Sequence, residues 1–359
     1  MMMNYKTFFT PGPSQMYFTV EDHLKTAFKE NIPSISHRSN AFSDIFKNTR
    51  ESLKNLLSVP DGYEIYFTSS ANEIWERIIQ NLVQNKSHHF VNGAFSEKFY
   101  NFAISYQKAS SITRAGEGLE FENLSVPDNT ELISITLNET STGYAFDQNN
   151  IKQLRADHPD KIIALDGVSA FPAVPINLEL VDTAYFSVQK CFGLPAGLGV
   201  WVVNKKCLNH YEKVKGSGLV TGSYHDLAQL KSAGDKNQTP ETPNILSIYL
   251  LGKVAEDMIN RPVKMIQSET AYKAAILYQA IENSKSLTPF VKQKVNRSKT
   301  VVVAETKNGN TEILDTLKTK GWIMGKGYGA YKEDHIRIAN FPAVSKEQME
   351  QVADFISTL

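Results

Sequence analysis

Four short runs, ELISITLN at 131–138, KIIALDG at 161–167, TAYFSVQ at 183–189 and GVWVVN at 199–204, each hold an apolar centre, LISITL, IIAL, AYFSV and VWVV, with no charged residue in it. A strand with one wet face alternates apolar and polar residues. Runs without that alternation are buried on both faces, as in a parallel sheet covered by helices. Helical patterns lie between and before them: DIFKNTRESLKNLLSV sets Ile45, Phe46, Leu53, Leu56 and Leu57 at helical spacing, and NEIWERIIQNLV, SEKFYNFAISY and NNIKQLRADH follow. With YEIYFT and HFVNGAF as further strands, this alternation predicts a mostly parallel α/β sheet. After two long helical stretches, NILSIYLLGKVAEDMINR and VKMIQSETAYKAAILYQAIENS, the pattern changes. Strand KTVVVAE, helix TEILDTLKTKG, strand HIRIANF and helix KEQMEQVADFISTL form a compact α+β unit. We expect a large domain over 15–257 and a small one over 258–359, with segment 1–14 packing near the latter. A chain of 359 residues is long enough for that division.

Charge and cysteine content exclude several classes. Lys plus Arg and Asp plus Glu both number 38, so no global field favours nucleic acid or an anionic membrane. No apolar run approaches the ~18 residues that span a bilayer, and MMMNYKTFFTPGPS lacks the apolar core of a signal peptide. The cysteines Cys191 and Cys207 form no CxxC pair and no zinc-type cluster. We expect free thiols in a reducing cytoplasm and no metal site. Only eight of the basic residues are arginines. That scarcity makes each informative, because arginine is suited to two-pronged recognition of carboxylate or phosphate.

In an open α/β sheet, ligands bind at the carboxyl ends of the strands. The residues placed there are Thr68 to Asn72, Asn92 and Gly93, Asn138 to Thr140, Asp166, and Gln189 with Lys190. Singly, each has an ordinary reading: Ser70 as a helix cap, Asp166 as a turn residue, Lys190 as a surface charge. A lysine at the mouth of a buried strand, however, costs several kcal/mol if charged and unpaired. It survives there when neighbours lower its pKa and it serves as a nucleophile. A Ser-Ser-Ala turn opening a helix offers N–H groups to a phosphate. An acid can hold a proton on a ring nitrogen. Lysine, acid and helix terminus together describe a site for pyridoxal 5'-phosphate.

These residues carry a resemblance across nearly the whole chain. FTPGPS, ISHRSNAF, LLSVPDGYEIYFTSS, LNETSTG, ALDGVSA, SVQKCFGLPAGLGVWVV and NQTPETPN resemble motifs of the class V aminotransferases of fold type I, and within them the phosphoserine aminotransferases. The resemblance implies a mostly parallel seven-stranded sheet between helices, with a small C-terminal α+β domain. It implies that Lys190 is the Schiff-base lysine and Asp166 the acid at the pyridine nitrogen. Thr140 then lies near the phenolic oxygen, Phe95 stacks on the ring, and Gln189, Ser70, Ala71 and Asn72 hold the phosphate. Gln238 and Thr239 fall where a neighbouring subunit closes the phosphate site, which implies a homodimer with shared active sites. Arg337 matches the arginine that takes the substrate α-carboxylate. His37 and Arg38 match the pair that receives the distal phosphate or side-chain carboxylate from across the dimer. In HIRIANF, Arg337 alternates with Ile336 and Ile338, which puts it on the open face of a strand.

The resemblance also implies the reaction: glutamate and 3-phosphohydroxypyruvate give 2-oxoglutarate and phosphoserine. Departures are visible. TSSANEIW stands where a glycine-rich run is usual, Phe95 where a Trp is usual, and Gln238 where an Asn is usual. GKGYGAYKEDHIRIANFP lacks the His-Arg pair that often precedes the substrate arginine and looks closer to an alanine- or serine–glyoxylate aminotransferase. That activity is the alternative expectation. We read GKGYG as a turn.

Overall fold

The computed structural model describes residues 6–359. Its larger sheet has seven strands in the order 63–68, 199–204, 183–187, 162–166, 132–136, 87–91 and 111–114. Strand 199–204 runs antiparallel to both neighbours, and the other pairings are parallel. The reversal has a simple cause. No helix intervenes between 187 and 199, and a parallel return needs a long crossover. Every residue of strands 87–91, 132–136, 162–166 and 183–187 is buried, including the polar Ser87, His88 and His89 of the first. The edge strand Ser111–Arg114 was not legible; it is short, half-exposed and mixed in composition.

Helices cover both faces. Asn40–Leu56 opens on Ser39, whose hydroxyl accepts the Phe42 N–H, and buries Phe42, Phe46, Leu53 and Leu56 against Ile245–Asn260. Each such side chain contributes about 1.5–3 kcal/mol through burial. On the other face, Ala71–Leu82 inserts Ile74, Trp75, Ile78 and Ile79. Among the described residues, no helix is long and apolar enough to cross a membrane.

A second sheet of five strands has the order Thr7–Phe9, Trp322–Lys326, His335–Ala339, Val301–Thr306 and Leu287–Pro289. Thr7–Phe9 pairs parallel with Trp322–Met324, so the N-terminal segment is an edge strand of this sheet. Gly325 and Lys326 belong to a strand, which corrects the reading of GKGYG as wholly a turn. Their strand was hidden because Trp322–Lys326 is short and only part-buried. In His335–Ala339, Ile336 and Ile338 are fully buried, and the opposite face is covered too rather than open: His335 and Ala339 are buried and only Arg337 is part-exposed. His335 stacks on Tyr331 at 4.4 Å, and Arg337 lies with its guanidinium 5.2 Å from the Tyr328 ring.

Candidate active site

The strand directions bring Thr68, Ser187, Asp166 and Thr136 to one edge of the larger sheet. Gly199 faces both Thr68 and Ser187 across this edge. A Cβ there would lie 2.6 Å from the Ser70 carbonyl carbon, so only glycine lets the Ser69–Ser70 turn cross so closely.

Lys190 follows strand 183–187 and is 7% exposed. Its Nζ donates to Thr140 Oγ1 at 2.8 Å and stands 5.1 Å from the centre of the Phe95 ring. The N-terminal segment grips it from behind. Ser14 Oγ bonds the carbonyls of Gln189 and Lys190, both at 3.1 Å. Gly12, at φ +136°, has its backbone against the lysine stem, where a Cβ would be 3.0 Å from Lys190 Cε. FTPGPS is thus a clasp for the lysine loop, a contact between residues far apart in sequence.

Asp166 ends strand 162–166, and its Oδ1 accepts the Val168 N–H at 2.9 Å. Burial pushes its carboxyl up to about 6, against the pull of the Val168 N–H and Lys190. Burial pushes Lys190 down to about 8, with Asp166 opposing. Thr140 is placed by a small network: its hydroxyl meets Ser169 Oγ at 3.0 Å, and Ser169 is bonded to Asn138 by side chain and backbone. Arg337 Nη1 reaches Thr140 O at 3.4 Å, and its Nε donates to Lys326 O at 2.8 Å, bringing a cation from the smaller sheet to this edge.

The helix Ala71–Leu82 begins here with Ser70 as its cap; Ser70 Oγ accepts the Glu73 N–H at 3.2 Å. A helix start leaves four backbone N–H groups without intrahelical partners. Glu73 N–H is taken by Ser70, and Ala71 N–H is taken by Ser187 Oγ at 2.8 Å. The N–H groups of Ser70 and Asn72 remain to meet an anion, reinforced by the helix dipole.

One organiser had no role in the sequence reading. Glu139 is wholly buried and accepts from Phe95 N, Ser96 N, Ser96 Oγ, Ser141 N and Ser141 Oγ at 2.6–3.3 Å. It caps helix Ala94–Ser105 from another strand, and so locks Phe95 and Thr140 into one arrangement. Gly93 is required for its approach, since a Cβ there would meet Glu139 Cγ at 2.4 Å. The available signal was an acid directly beside Thr140 in a buried segment.

The remaining predicted residues form a second group. Arg38 Nη1 donates to Gln238 Oε1 at 2.8 Å and Thr239 O at 2.9 Å, and Nη2 to Pro240 O at 3.1 Å. His37 is half-buried beside it. The chain therefore joins Arg38 to Gln238 and Thr239, while none of the three is hydrogen-bonded to Lys190, Asp166 or Arg337. Gln189 is held through its backbone carbonyl, and its side chain is half-buried.

A nearly buried amine, a buried acid, an aromatic face and two free N–H groups at a helix start are donors of the kind that would hold a phosphorylated aromatic aldehyde. Residues 7–98 and 103–329 match the family described as Aminotransferase class-V, and the chain belongs to that family. A phosphoserine aminotransferase from Rhodococcus opacus (strain B4) is 29% identical over 327 residues, 89% of this chain and 86% of that protein. The crystal structure of a phosphoserine aminotransferase from Cytophaga hutchinsonii superposes with a TM-score of 0.96 at 42% identity, covering 98% of each chain. An alanine–glyoxylate aminotransferase from Nostoc sp. shares the fold, with a TM-score of 0.84 at 18% identity over 98% of this chain and 94% of that one.

Proposed function

We propose that the protein is a pyridoxal-phosphate-dependent phosphoserine aminotransferase, moving an amino group between glutamate and 3-phosphohydroxypyruvate. The observation that carries the reading is Lys190, a buried amine held by Thr140 and facing Asp166, with Arg337 reaching the same residue. It is supported by the likeness to the Cytophaga enzyme at 42% identity.

When bound, the cofactor supplies an electron sink for deprotonation at the substrate α-carbon. Lys190 would anchor it and move a proton at the substrate α-carbon; desolvation brings the amine down to about 8, which leaves a neutral fraction available near pH 7. Asp166 holds a proton on the ring nitrogen. The Ser70 and Asn72 N–H groups and the Gln189 side chain hold the phosphate, and Ala71 lines that turn while its N–H braces Ser187. Phe95 covers one ring face, and Thr140 bonds the phenolic oxygen. Arg337 takes the α-carboxylate.

His37 and Arg38 receive the distal anion, and Gln238 and Thr239 close the phosphate site, both in a second copy of this chain. Their clustering within one chain supports that role, because they would cross together. Three of the five Arg38 N–H groups are spent on fixing the guanidinium plane, which leaves two for a phosphate or carboxylate. The reading includes a homodimer in the cytoplasm, acting on small molecules without nucleic acid or membrane. It also includes a division into 15–257 and 258–359, with the N-terminal segment joined to the smaller part.

Single-turnover amino transfer from phosphoserine, alanine and serine tests the assignment. Phosphoserine should react fastest, and Arg38→Ala should slow phosphoserine and glutamate by roughly tenfold or more beyond its effect on alanine. Alanine as the preferred donor, with equal losses for all, would assign the glyoxylate-type activity instead.

A further inference from the structure

A buried histidine that the proposed reaction does not use joins the two groups of site residues. His225 is 2% exposed. Its Nδ1 bonds a carboxylate oxygen of Glu73, and its Nε2 bonds Glu241 Oε2 at 2.8 Å. Carboxylate oxygens only accept, so a ring with both nitrogens on carboxylates carries both protons and is an imidazolium. Each carboxylate is tied to a different part of the site. Glu73 lies in the first turn of helix Ala71–Leu82 and reaches back to Ser69, accepting its N–H at 2.8 Å and its hydroxyl at 2.6 Å. Glu241 follows Thr239, whose hydroxyl donates to the Glu241 carbonyl at 2.8 Å.

Glu73 poses an electrostatic problem. It puts a carboxylate at the helix terminus whose free N–H groups are to receive a phosphate. An anion there is favourable to the helix but repels a second anion. A positive charge bonded directly to Glu73 removes much of that repulsion, and the same charge fastens the Gln238–Thr239 segment through Glu241. We propose that His225 is a positioning residue for the cofactor phosphate: it neutralises Glu73 beside this chain's phosphate-binding turn and, through Glu241, holds in place the segment by which Gln238 and Thr239 close the phosphate site of a second copy.

The inference rests on the reading that this helix terminus receives the phosphate, and its test separates the two. Full-length apo-protein is titrated with pyridoxal phosphate and with pyridoxal, which lacks the phosphate, following absorbance of the bound cofactor. Lys190→Ala serves as the control for binding at this site. If the wild type gives no Lys190-dependent band, the functional reading fails and this inference with it. Given that band, His225→Gln should weaken pyridoxal phosphate binding roughly tenfold and pyridoxal binding less than about twofold. Glu73→Gln in the His225→Gln background should recover most of the loss, because the amide keeps an acceptor for Ser69 and removes the charge. Equal loss for both ligands, no loss for either, or failure of the second substitution to restore affinity would overturn the proposal. Should His225→Gln fail to fold, Glu241→Gln keeps the test: it leaves His225 and Glu73 paired, so it should weaken pyridoxal phosphate binding by roughly two- to fivefold and pyridoxal binding by less than about twofold. A loss from Glu241→Gln that falls equally on pyridoxal would also overturn it.

Discussion

Lys190 with Asp166, and His225 with the part-buried Glu73 and Glu241, are two sets of ionisable groups at the same end of the large sheet, yet they are left in opposite conditions. At the first, desolvation dominates. The lysine falls to about 8 and the acid rises to about 6, so their titration ranges approach each other. At the second, burial acts the same way, but direct hydrogen bonds outweigh it. His225 is carried up to about 9 by Glu241 and Glu73, and Glu73 down to about 2 by His225 and Ser69. The difference is contact. Lys190 Nζ bonds a neutral hydroxyl, whereas both His225 nitrogens bond carboxylates. Burial without a charged partner leaves a proton easily moved, and burial with one locks it.

The largest expected effect comes from removing the acid of the first set. Asp166→Asn should reduce single-turnover amino transfer by roughly 10²–10⁴-fold. The same substitution removes a charge that helps hold the proton on Lys190, which burial sets at about 8, so pH-dependent capture of pyridoxal phosphate should rise at lower pH than in the wild type. A midpoint that moves upward would break the account of Lys190.

The second set gives a smaller effect, on stability. His225 has a folded pKa above its ordinary value of 6.5, so its contribution is fully present below about 6.5 and is lost as pH rises through about 9. The groups facing it are Glu73, Glu241 and the stacked Tyr224 ring at 4.0 Å. Wild-type Tm should therefore fall between pH 7 and 10 more steeply than that of His225→Gln. Parallel slopes in thermal melts would show that the imidazolium adds nothing to the fold.

The smallest effect tests the clasp. Gly12→Ala puts a methyl 3.0 Å from Lys190 Cε at φ +136°. It should cost about 1–3 kcal/mol in denaturant unfolding and leave cofactor anchoring intact. A neutral substitution would mean that the lysine loop does not depend on its N-terminal support.

Much of the architecture was legible because burial on both faces leaves an unambiguous mark. Strands 132–136, 162–166 and 183–187 could be read directly, and with them the position of Asp166 and Lys190 at strand ends. Strands 7–9, 111–114, 287–289 and 322–326 were not, because short strands, three of these four at sheet edges, are set by their partners more than by their own composition. The roles of Glu139 and His225 were hidden for a related reason. A buried acid or imidazole is distinguished by what it bonds, and Glu139 bonds residues 95, 96 and 141 and His225 bonds residues 73 and 241.

By itself the sequence determined the sheet, the edge where chemistry gathers and the side chains of the Lys190 centre, since these follow from hydrophobic pattern and from what each residue type can do at a strand end. Only the tertiary structure decided that FTPGPS clasps the lysine, that Glu139 sets Phe95 and Thr140, that Arg38 joins Gln238 and Thr239, and that His225 carries its charge between two carboxylates. Those are long-range pairings, and their energies depend on distance and desolvation, which the order of residues along the chain does not contain.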